Sequence, residues 1–235
     1  MRICCLTPTL GRPVSMLQNC LACFLSQDYG DKFLLIFDDG GQIQEQEGDG
    51  FRVVSCHVRY PSIVAKYAAM LDVVGDKADS YVVWDDDDVY RPEHLSCHAA
   101  VLEQHAFSYP SRVYIKSGAK LIEKPSRGCY HGSIAFTRAA CEKVGGWGTT
   151  QRADFDQQLI RRLLSLEDMG DPVANRKPTY YYRWSHSGAR HATSAMRGPT
   201  DEQWYGRVRK QSNARIGKLI PKFDAETEWA YGQVA

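Results

Sequence analysis

The sequence lacks any hydrophobic segment long enough to cross a membrane, and it carries almost no net charge. Its apolar run at residues 33–37 has five residues, whereas a spanning helix needs about 20. Lysine and arginine total 29 against 28 aspartate and glutamate residues, so the charge of +1 gives no overall field that would attract nucleic acid or a membrane. The 11% aromatic content argues against disorder. We therefore expect one globular domain, with at most an appendage.

Zinc-site spacing is absent among the eight cysteines. Cys20 and Cys23 form a single CxxC motif, without the second pair or the histidines that a zinc site needs. Cys4 and Cys5 fall in an apolar strand pattern, where cysteine acts as a small buried hydrophobe. We expect reduced thiols and a cytoplasmic location.

The N-terminal segment does not have the form of a secretory signal, because Pro8 and Gly11 interrupt it too early. We expect it to open the fold as a strand.

Strand patterns alternate with helical patterns along the first half of the chain. This alternation indicates an α/β fold with a mostly parallel sheet and right-handed crossovers. The predicted strands are 2–6, 33–37, 51–58 and 81–84, and the predicted helices are 14–25, 63–74 and 92–105, with a polar surface loop before residue 50. In the less regular second half we predict strands at 112–116, 132–136 and 179–184 and helices at 139–144 and 154–166.

Polar or acidic residues follow three of the predicted strands, at residues 7–9, 38–39 and 85–88. In parallel sheets, ligands bind beyond the carboxyl ends of the strands. The three segments are therefore expected to meet at one site.

The third of these segments consists of four consecutive aspartates, Asp85 to Asp88. Ionised carboxylates at this density repel one another, and a divalent cation relieves the repulsion. Oxygen ligands suit Mg²⁺ or Mn²⁺ rather than Zn²⁺. In an extended chain Asp85 and Asp87 would face one way and the other two the opposite way. The alternative is a solvated acidic turn in which Asp88 caps the following helix.

The segment YVVWDDDDVYRPEHL resembles the DxD region of GT-A-fold glycosyltransferases, above all the inverting family two. CLTPTLGRP is similar to that family's first strand and nucleotide loop, and FLLIFDDGG to its second strand and base-reading Asp-Asp-Gly. HGSIAFTRAACEKVGGWG resembles its acceptor-side segment, and RADFDQQLIRRL its catalytic-aspartate helix. The motifs come in the family's order and cover roughly residues 1–195. The resemblance implies a GT-A fold, which is Rossmann-like with a mostly parallel central sheet and flanking helices.

The resemblance also implies an inverting, metal-dependent transfer of a sugar from a nucleoside-diphosphate sugar, with a UDP-sugar favoured. Thr9 and Asp39 would hold the nucleobase and ribose. Lys66 stands where the family often has a basic residue near the base, although an ordinary surface lysine is the alternative. The whole donor-binding set is Thr7, Pro8, Thr9, Arg12, Asp39, Lys66, Asp85 and Asp86.

The metal is expected to be Mn²⁺ or Mg²⁺. By resemblance, Asp87 would be its direct ligand, and Asp85 or Asp86 would contact ribose or metal-bound water. A histidine after the aromatic strand completes the metal site in some relatives. His191 or His186 would fill that place, unless both are ordinary surface or packing residues.

The catalytic base implied by the resemblance is Asp154, with Asp156 as the competitor. Ala153 stands where the family more often has glutamate, and helix N-terminal acids without a catalytic role are the alternative for both. His131 and Gly132 belong to the acceptor-side segment. Trp147 would either stack on an acceptor sugar or pack in the core.

Residues 199–235 are predicted to be a basic helical extension packed on a catalytic domain of residues 1–198. Residues 207–222 contain six basic residues and no acidic ones. Either this segment is a solvated helix, or it contacts an anionic acceptor or a membrane surface. No protein partner is predicted.

Several functions stay open at this point. The acceptor hydroxyl would belong to a glycan or lipid-linked sugar, or else to a modified nucleic-acid base. The pattern Asp85-x-Asp87 also fits a haloacid-dehalogenase-type phosphatase, although that loop should open the fold and here follows three strands. A non-catalytic sugar-nucleotide binder is the remaining alternative.

Overall fold

The computed structural model describes residues 1–149, 154–183 and 215–234. Within these residues the chain forms an eight-stranded sheet, a separate four-stranded sheet and flanking helices. The α/β class predicted from the sequence is confirmed.

The first half of the chain alternates strands and helices. Its elements are β1 (Ile3–Thr9), α1 (Val14–Leu25), β2 (Lys32–Asp38), β3 (Gln46–Gly48), β4 (Phe51–Ser55), α2 (Ile63–Val74) and β5 (Ser80–Val83). The prediction of a loop before residue 50 was wrong in part, because β3 pairs antiparallel with β4. β3 is three polar residues at the sheet edge, so no apolar run announces it.

The second half contains shorter elements. They are β6 (Val89–Tyr90), α3 (His94–Leu102), β7 (Phe107–Ser108), β8 (Arg112–Ser117), β9 (Lys120–Pro125), β10 (Ala135–Thr137), α4 (Arg138–Lys143), α5 (Phe155–Leu164), β11 (Met169–Gly170), β12 (Tyr180–Tyr182) and α6 (Ala225–Val234). The strand predicted at 132–136 is only partly formed, because His131–Ser133 is a 3-10 turn.

The large sheet has the order β11-β7-β10-β5-β1-β2-β4-β3. Its centre is parallel, with β1 paired to both β2 and β5 and β2 paired to β4. β10 runs antiparallel between β5 and β7. The parallel centre therefore carries the three strand ends at which the sequence predicts a site.

The small sheet has the order β6-β12-β8-β9. β12 pairs antiparallel with β6 and parallel with β8. Because β6 follows the aspartate run directly, this sheet fixes the far side of that turn. The sequence did not predict β9, whose side chains are mostly exposed.

The central strands are buried on both faces. In β1, Ile3 and Cys5 pack into the core on one face, while Cys4 and Leu6 pack into the core on the other. α1, α3 and the small sheet cover the first face, and α2, α4 and α5 cover the second. Two-sided burial explains the continuous apolar sequence of these strands.

The described C-terminal segment packs on this domain. Ile216 forms a bridge with Ile43, and the Tyr231 hydroxyl donates to the carbonyl of Tyr90 at 2.6 Å. α6 begins with acidic rather than basic residues. The domain boundary at residue 198 and residues 207–214 of the basic segment lie outside the described residues and stay predictions. The described half, residues 215–222, is not helical, so the prediction of a helix was wrong for these residues. None of the described helices is long and apolar enough to cross a membrane.

Candidate active site at the carboxyl edge of the central sheet

The ends of β1, β2 and β5 lie side by side. Thr9 is in register with Asp38 across β1 and β2, and Leu6 is in register with Val83 across β1 and β5. The turn after each strand therefore opens at one edge of the sheet. The structure thus brings together the first loop, the Asp-Asp-Gly turn and the aspartate run.

Asp38 and Asp39 have different roles although they are adjacent. The buried Asp38 carboxylate accepts backbone N–H groups of Gly40, Gln42 and Ile43 at 2.7–2.9 Å. These bonds hold the turn after β2, so Asp38 is a structural residue. The Asp39 carboxylate instead contacts side chains around the site.

Asp39 lies in a buried charged group. Its carboxylate is 2.7 Å from Nζ of Lys66 and 3.1 Å from a guanidinium nitrogen of Arg59. It also accepts the backbone N–H of Tyr60 at 3.1 Å. Lys66 donates in addition to the carbonyl of Thr9. Lys66 is only 3% exposed, so it is no ordinary surface lysine, and burial lowers its pKa.

The residues of the first loop divide between structure and site. The Thr7 hydroxyl donates to the carbonyl of Trp84 at 2.7 Å and ties β1 to the end of β5. Pro8 pairs with Phe37 in the strand register. The Thr9 hydroxyl instead donates to the Asp86 carboxylate at 2.7 Å. Of the predicted loop residues, Thr9 and Arg12 therefore reach the aspartate run with their side chains.

Arg12 joins two of the aspartates. Its Nε lies 2.9 Å from Asp86, and its terminal nitrogen lies 3.0 Å from Asp87. The run is a turn rather than an extended strand, so the predicted alternation of side chains was wrong: Asp86 and Asp87 share one partner.

Asp88 belongs to the scaffold. It accepts the hydroxyl of Tyr180 and, at 2.8 Å, the backbone N–H of Arg183. It does not cap α3, whose N-cap is Glu93. This aspartate therefore attaches the turn to the small sheet.

Asp85 lies on the side of the turn that faces the acceptor segment. Its backbone N–H donates to the Tyr90 hydroxyl at 2.6 Å. A Cβ on Gly132 would lie 2.4 Å from Oδ2 of Asp85, so a larger residue here would require this carboxylate to shift. Gly132 is therefore a neighbour of the aspartate run.

Burial and mutual repulsion raise the pKa of Asp85 and of Asp87 well above the usual carboxyl range. For Asp85, burial is the largest cause, followed by the charge of Asp88. For Asp87, burial raises the pKa by more than the charge of Arg12 lowers it. A second positive charge at this turn would offset the cost of ionising these groups.

The aspartate run suits a hard divalent cation, because its buried side chains offer carboxylate oxygens as ligands. Within the described residues, no group of three or more His, Cys, Asp or Glu is arranged to hold a metal ion. A cation here would therefore take one or two carboxylates and obtain further ligands elsewhere, as Mg²⁺ does with substrate phosphates. His186 and His191 lie outside the described residues, so their predicted role as ligands stays a prediction.

On the acceptor side, His131 and Trp147 are packed together. The indole N–H of Trp147 donates to Nε2 of His131 at 2.9 Å, and the Trp147 ring stacks on Tyr67 with centroids 4.0 Å apart. Trp147 is 3% exposed, so it packs in the core and offers no open face to a sugar. Burial lowers the pKa of His131 to about 3, which keeps the ring neutral as the acceptor of this bond.

Asp154 and Asp156 lie at the N-terminus of α5. Asp154 is the N-cap residue, accepts from the Gln158 amide at 2.9 Å and has a side chain 33% exposed. Arg161 lies 4.0 Å from its carboxylate. Burial raises the pKa of Asp156, with the charge of Asp154 adding to it. An open groove lies beside them, lined by Trp147, Gly148, Thr149, Gln158, Arg161 and Arg162.

Several residues of the site were not predicted. Arg59 pairs with Asp39, and Arg183 donates to the carbonyl of Asp87. Tyr67 stacks on Trp147, and burial, followed by the charges of Asp85, Asp86 and Asp156, raises the pKa of its hydroxyl. Single arginines and tyrosines carry no signal of their own in a sequence, so these partners needed the fold.

A sequence profile described as "Glycosyl transferase family 2" matches residues 4–162, which is more than half of the chain. The chain belongs to this family. It is therefore a glycosyltransferase that uses a nucleotide sugar, and the phosphatase alternative is set aside. No sequence among the curated proteins compared matches this chain.

Solved structures agree with this fold. A crystal structure of S. aureus TarS, residues 1–349, has a TM-score of 0.59 at 13% identity, over 92% of this chain and 71% of that one. The same TarS fragment in complex with UDP has a TM-score of 0.59 at 12% identity, over 91% and 71%. A structure of TarS reaches 0.54 at 14% identity, over 79% of this chain and 37% of that one. At such identities the likeness establishes the GT-A fold alone.

Proposed function

We propose that this chain is an inverting, metal-dependent glycosyltransferase that transfers a sugar from a nucleoside-diphosphate sugar to an acceptor hydroxyl. The observation that carries the proposal is the meeting of two charged groups at one sheet edge. One is Asp39 with Lys66, and the other is Asp86 and Asp87 with Arg12. In a family-two chain, the first suits a nucleoside and the second suits a diphosphate with its cation.

The nucleoside would lie over the first loop and the turn after β2. Asp39 offers carboxylate oxygens to a base N–H or a ribose hydroxyl, and Lys66 and Arg59 fix its orientation. The TarS fragment solved in complex with UDP makes UDP the first nucleotide to test. Thr9 would set the distance between nucleoside and aspartates, since its carbonyl binds Lys66 and its hydroxyl binds Asp86.

Asp87 is the proposed direct ligand of Mn²⁺ or Mg²⁺, with Asp85 as a second ligand or a contact to ribose. The cation would neutralise charge that develops on the leaving diphosphate. Arg12, which binds the carboxylates of Asp86 and Asp87, would contact the same diphosphate. His191 and His186 stay candidates for completing the coordination.

Asp154 is the proposed catalytic base. An acceptor hydroxyl has a high pKa and needs a base opposite the leaving group. Asp154 borders the open groove through Gln158 and Arg161, and its side chain is accessible. Asp156 and His131 would then shape the acceptor side, because His131 is neutral and held by Trp147.

The acceptor is proposed to be the hydroxyl of a glycan or of a lipid-linked sugar. Lys218 and Lys222 are exposed in the described part of the basic segment 207–222, which supports contact with an anionic acceptor or a membrane surface. The eight cysteines all lie in described residues and are all free, in keeping with a cytoplasmic protein.

Nucleotide binding tests the proposal. The purified protein is titrated calorimetrically with UDP, GDP, CDP and dTDP, with and without Mn²⁺. We expect metal-dependent binding of one nucleotide, UDP first. Asp39→Asn should weaken binding with or without metal, whereas Asp87→Asn should remove the metal dependence.

The matched control is Asp76→Asn, an exposed aspartate outside the site. It should bind like the wild type. Absence of binding by any of the four nucleotides would contradict the proposed donor site, and metal-independent binding that Asp87→Asn leaves unchanged would contradict the metal role.

A further inference from the structure

Arg183 is a buried cation that connects the aspartate run to the C-terminal segment. Its side chain is 1% exposed. Its Nε donates to the carbonyl of Asp87, and its backbone N–H donates to Asp88 at 2.8 Å. Its terminal nitrogen lies 2.6 Å from the carboxylate of Asp224. The Arg183 side chain thus links the aspartate run to Asp224, which lies 41 positions after Arg183 in the sequence.

Asp224 is fixed by two further hydrogen bonds. Its Oδ1 accepts the backbone N–H of Thr227 at 2.8 Å in the first turn of α6. Its own backbone N–H donates to the Asn19 side chain at 3.0 Å. The carboxylate that pairs with Arg183 is therefore tied both to α6 and to α1, and it has little freedom to follow Arg183 if the turn moves.

Both members of the pair are charged. Burial alone would lower the pKa of Arg183, but the carboxylate of Asp224 outweighs it and raises that pKa. The pKa of Asp224 is lowered, because Arg183 outweighs the opposite effect of burial. Removing one partner therefore leaves a buried charge without its counter-ion, which is far costlier than losing a surface pair.

Asp87 is consequently held at two points. Arg12 binds its carboxylate at 3.0 Å, and Arg183 binds its carbonyl. We infer that Arg183 and Asp224 are positioning residues, which set the main chain of Asp87 so that its carboxylate presents the geometry a divalent cation needs. The segment 215–234 is then part of the donor site's support. This inference rests on the proposed metal role of Asp87.

Asp224→Asn is the sharpest test, because asparagine also caps helices well and keeps the contact to Thr227 while removing the charge that faces Arg183. Outer partners of metal ligands typically contribute about 10–100-fold to metal affinity. We expect Asp224→Asn to weaken Mn²⁺-dependent UDP binding by about this factor. UDP binding without metal, which depends on the Asp39 side, should change less than twofold.

The matched control is Glu226→Gln on the same helix. Glu226 accepts a hydrogen bond from the Tyr181 hydroxyl at 2.8 Å and lies 3.4 Å from Lys116. Neither of these two partners is Arg183. It should keep wild-type metal-dependent binding at a comparable melting temperature.

The positioning role would be overturned if both variants lost Mn²⁺-dependent UDP binding equally, or if Asp224→Asn lost none of it. Metal-dependent binding by the wild type would uphold the donor site in either case. If the wild type itself bound no nucleotide in a metal-dependent manner, the proposed function would fail, and the positioning role with it.

Discussion

Arg12 is bound to Asp86 through a forked contact, with Nε 2.9 Å from Oδ1 and 3.1 Å from Oδ2. Burial alone would lower the pKa of Arg12, but Asp86 and Asp87 outweigh it and raise that pKa, so the guanidinium stays charged. Arg12 therefore occupies the same carboxylates that a divalent cation would use. The two cations are expected to compete for this turn.

Arg12→Gln should consequently strengthen the binding of Mn²⁺ alone. Removal of one positive charge at contact distance makes the aspartate run more negative, and we expect roughly threefold to tenfold tighter Mn²⁺ binding. UDP binding in the presence of Mn²⁺ should move the other way, because the proposed diphosphate contact is lost. Titration of Mn²⁺ with and without UDP measures both effects. Arg12→Lys, which keeps the charge, is the control, and weaker Mn²⁺ binding by Arg12→Gln would refute the competition.

Gly132→Ala should disturb the turn from the acceptor side. The added Cβ would lie 2.4 Å from Oδ2 of Asp85 and 3.1 Å from the Tyr180 hydroxyl, which is itself bound to Asp88. Overpacking of this kind costs about 1–3 kcal/mol, which corresponds to a fall in melting temperature of roughly 2–10 °C for a chain of this size.

Gly30→Ala serves as the control for thermal unfolding, because nothing lies within 4 Å of its Cβ position. A Gly132→Ala protein with unchanged melting temperature and unchanged Mn²⁺-dependent UDP binding would show that Asp85 does not need this close approach.

Asp154 and Asp156 can be separated by their kinetics. Asp154→Asn removes the proposed base and should lower kcat by about 10²–10⁴-fold while UDP binding stays unchanged. Asp156→Asn should lower kcat less and act mainly on the KM for the acceptor, because Asp156 is proposed to shape the acceptor side rather than to serve as the base. Sugar transfer, or donor hydrolysis where the acceptor is unknown, provides the assay. The reverse order of the two losses would assign the base to Asp156.

The sequence predicted the parallel centre of the fold because strands buried on both faces need continuous apolar residues. Residues 33–37 are such a run, and Lys32–Asp38 is the strand that forms. β9 could not be predicted in this way, since Lys120–Pro125 is mostly exposed and pairs with a single neighbour, β8. Its place depends on pairing that only the folded chain supplies.

The same limit applies to the candidate site. Adjacent aspartates mark the turn after β5, but their division of roles depends on partners far away in sequence. Arg12 is 74 positions from Asp86, and Tyr180 is 92 positions from Asp88. Trp147 needed the fold for another reason. Its position after a Gly-Gly turn fitted sugar stacking and core packing equally, and its stacking on Tyr67 places it in the core.

Buried neutral histidines should make stability fall in acid. Nδ1 of His98 is 2.7 Å from the Ser108 hydroxyl, its ring lies 4.5 Å from that of His94, and burial lowers its pKa to about 3 despite the opposing charge of Asp171. The unfolded chain takes up a proton below its ordinary pKa of about 6.5, while the folded chain does not. Each such histidine therefore reduces the free energy of unfolding as pH falls from 6.5 towards 3, by about 2 kcal/mol between pH 7 and pH 5.

The variant His98→Gln isolates this effect, because the raised pKa values of Asp85 and Asp87 act in the opposite direction in both proteins and cancel in the comparison. Denaturant unfolding at pH 7 and pH 5 gives the change in unfolding free energy for each protein. The variant is expected to be less stable at pH 7, since glutamine fills the site poorly, but to lose about 2 kcal/mol less than the wild type on acidification. If the two proteins lost the same unfolding free energy on acidification, His98 would take up its proton in the folded state. The assignment of a neutral, buried ring to His98 would then be wrong.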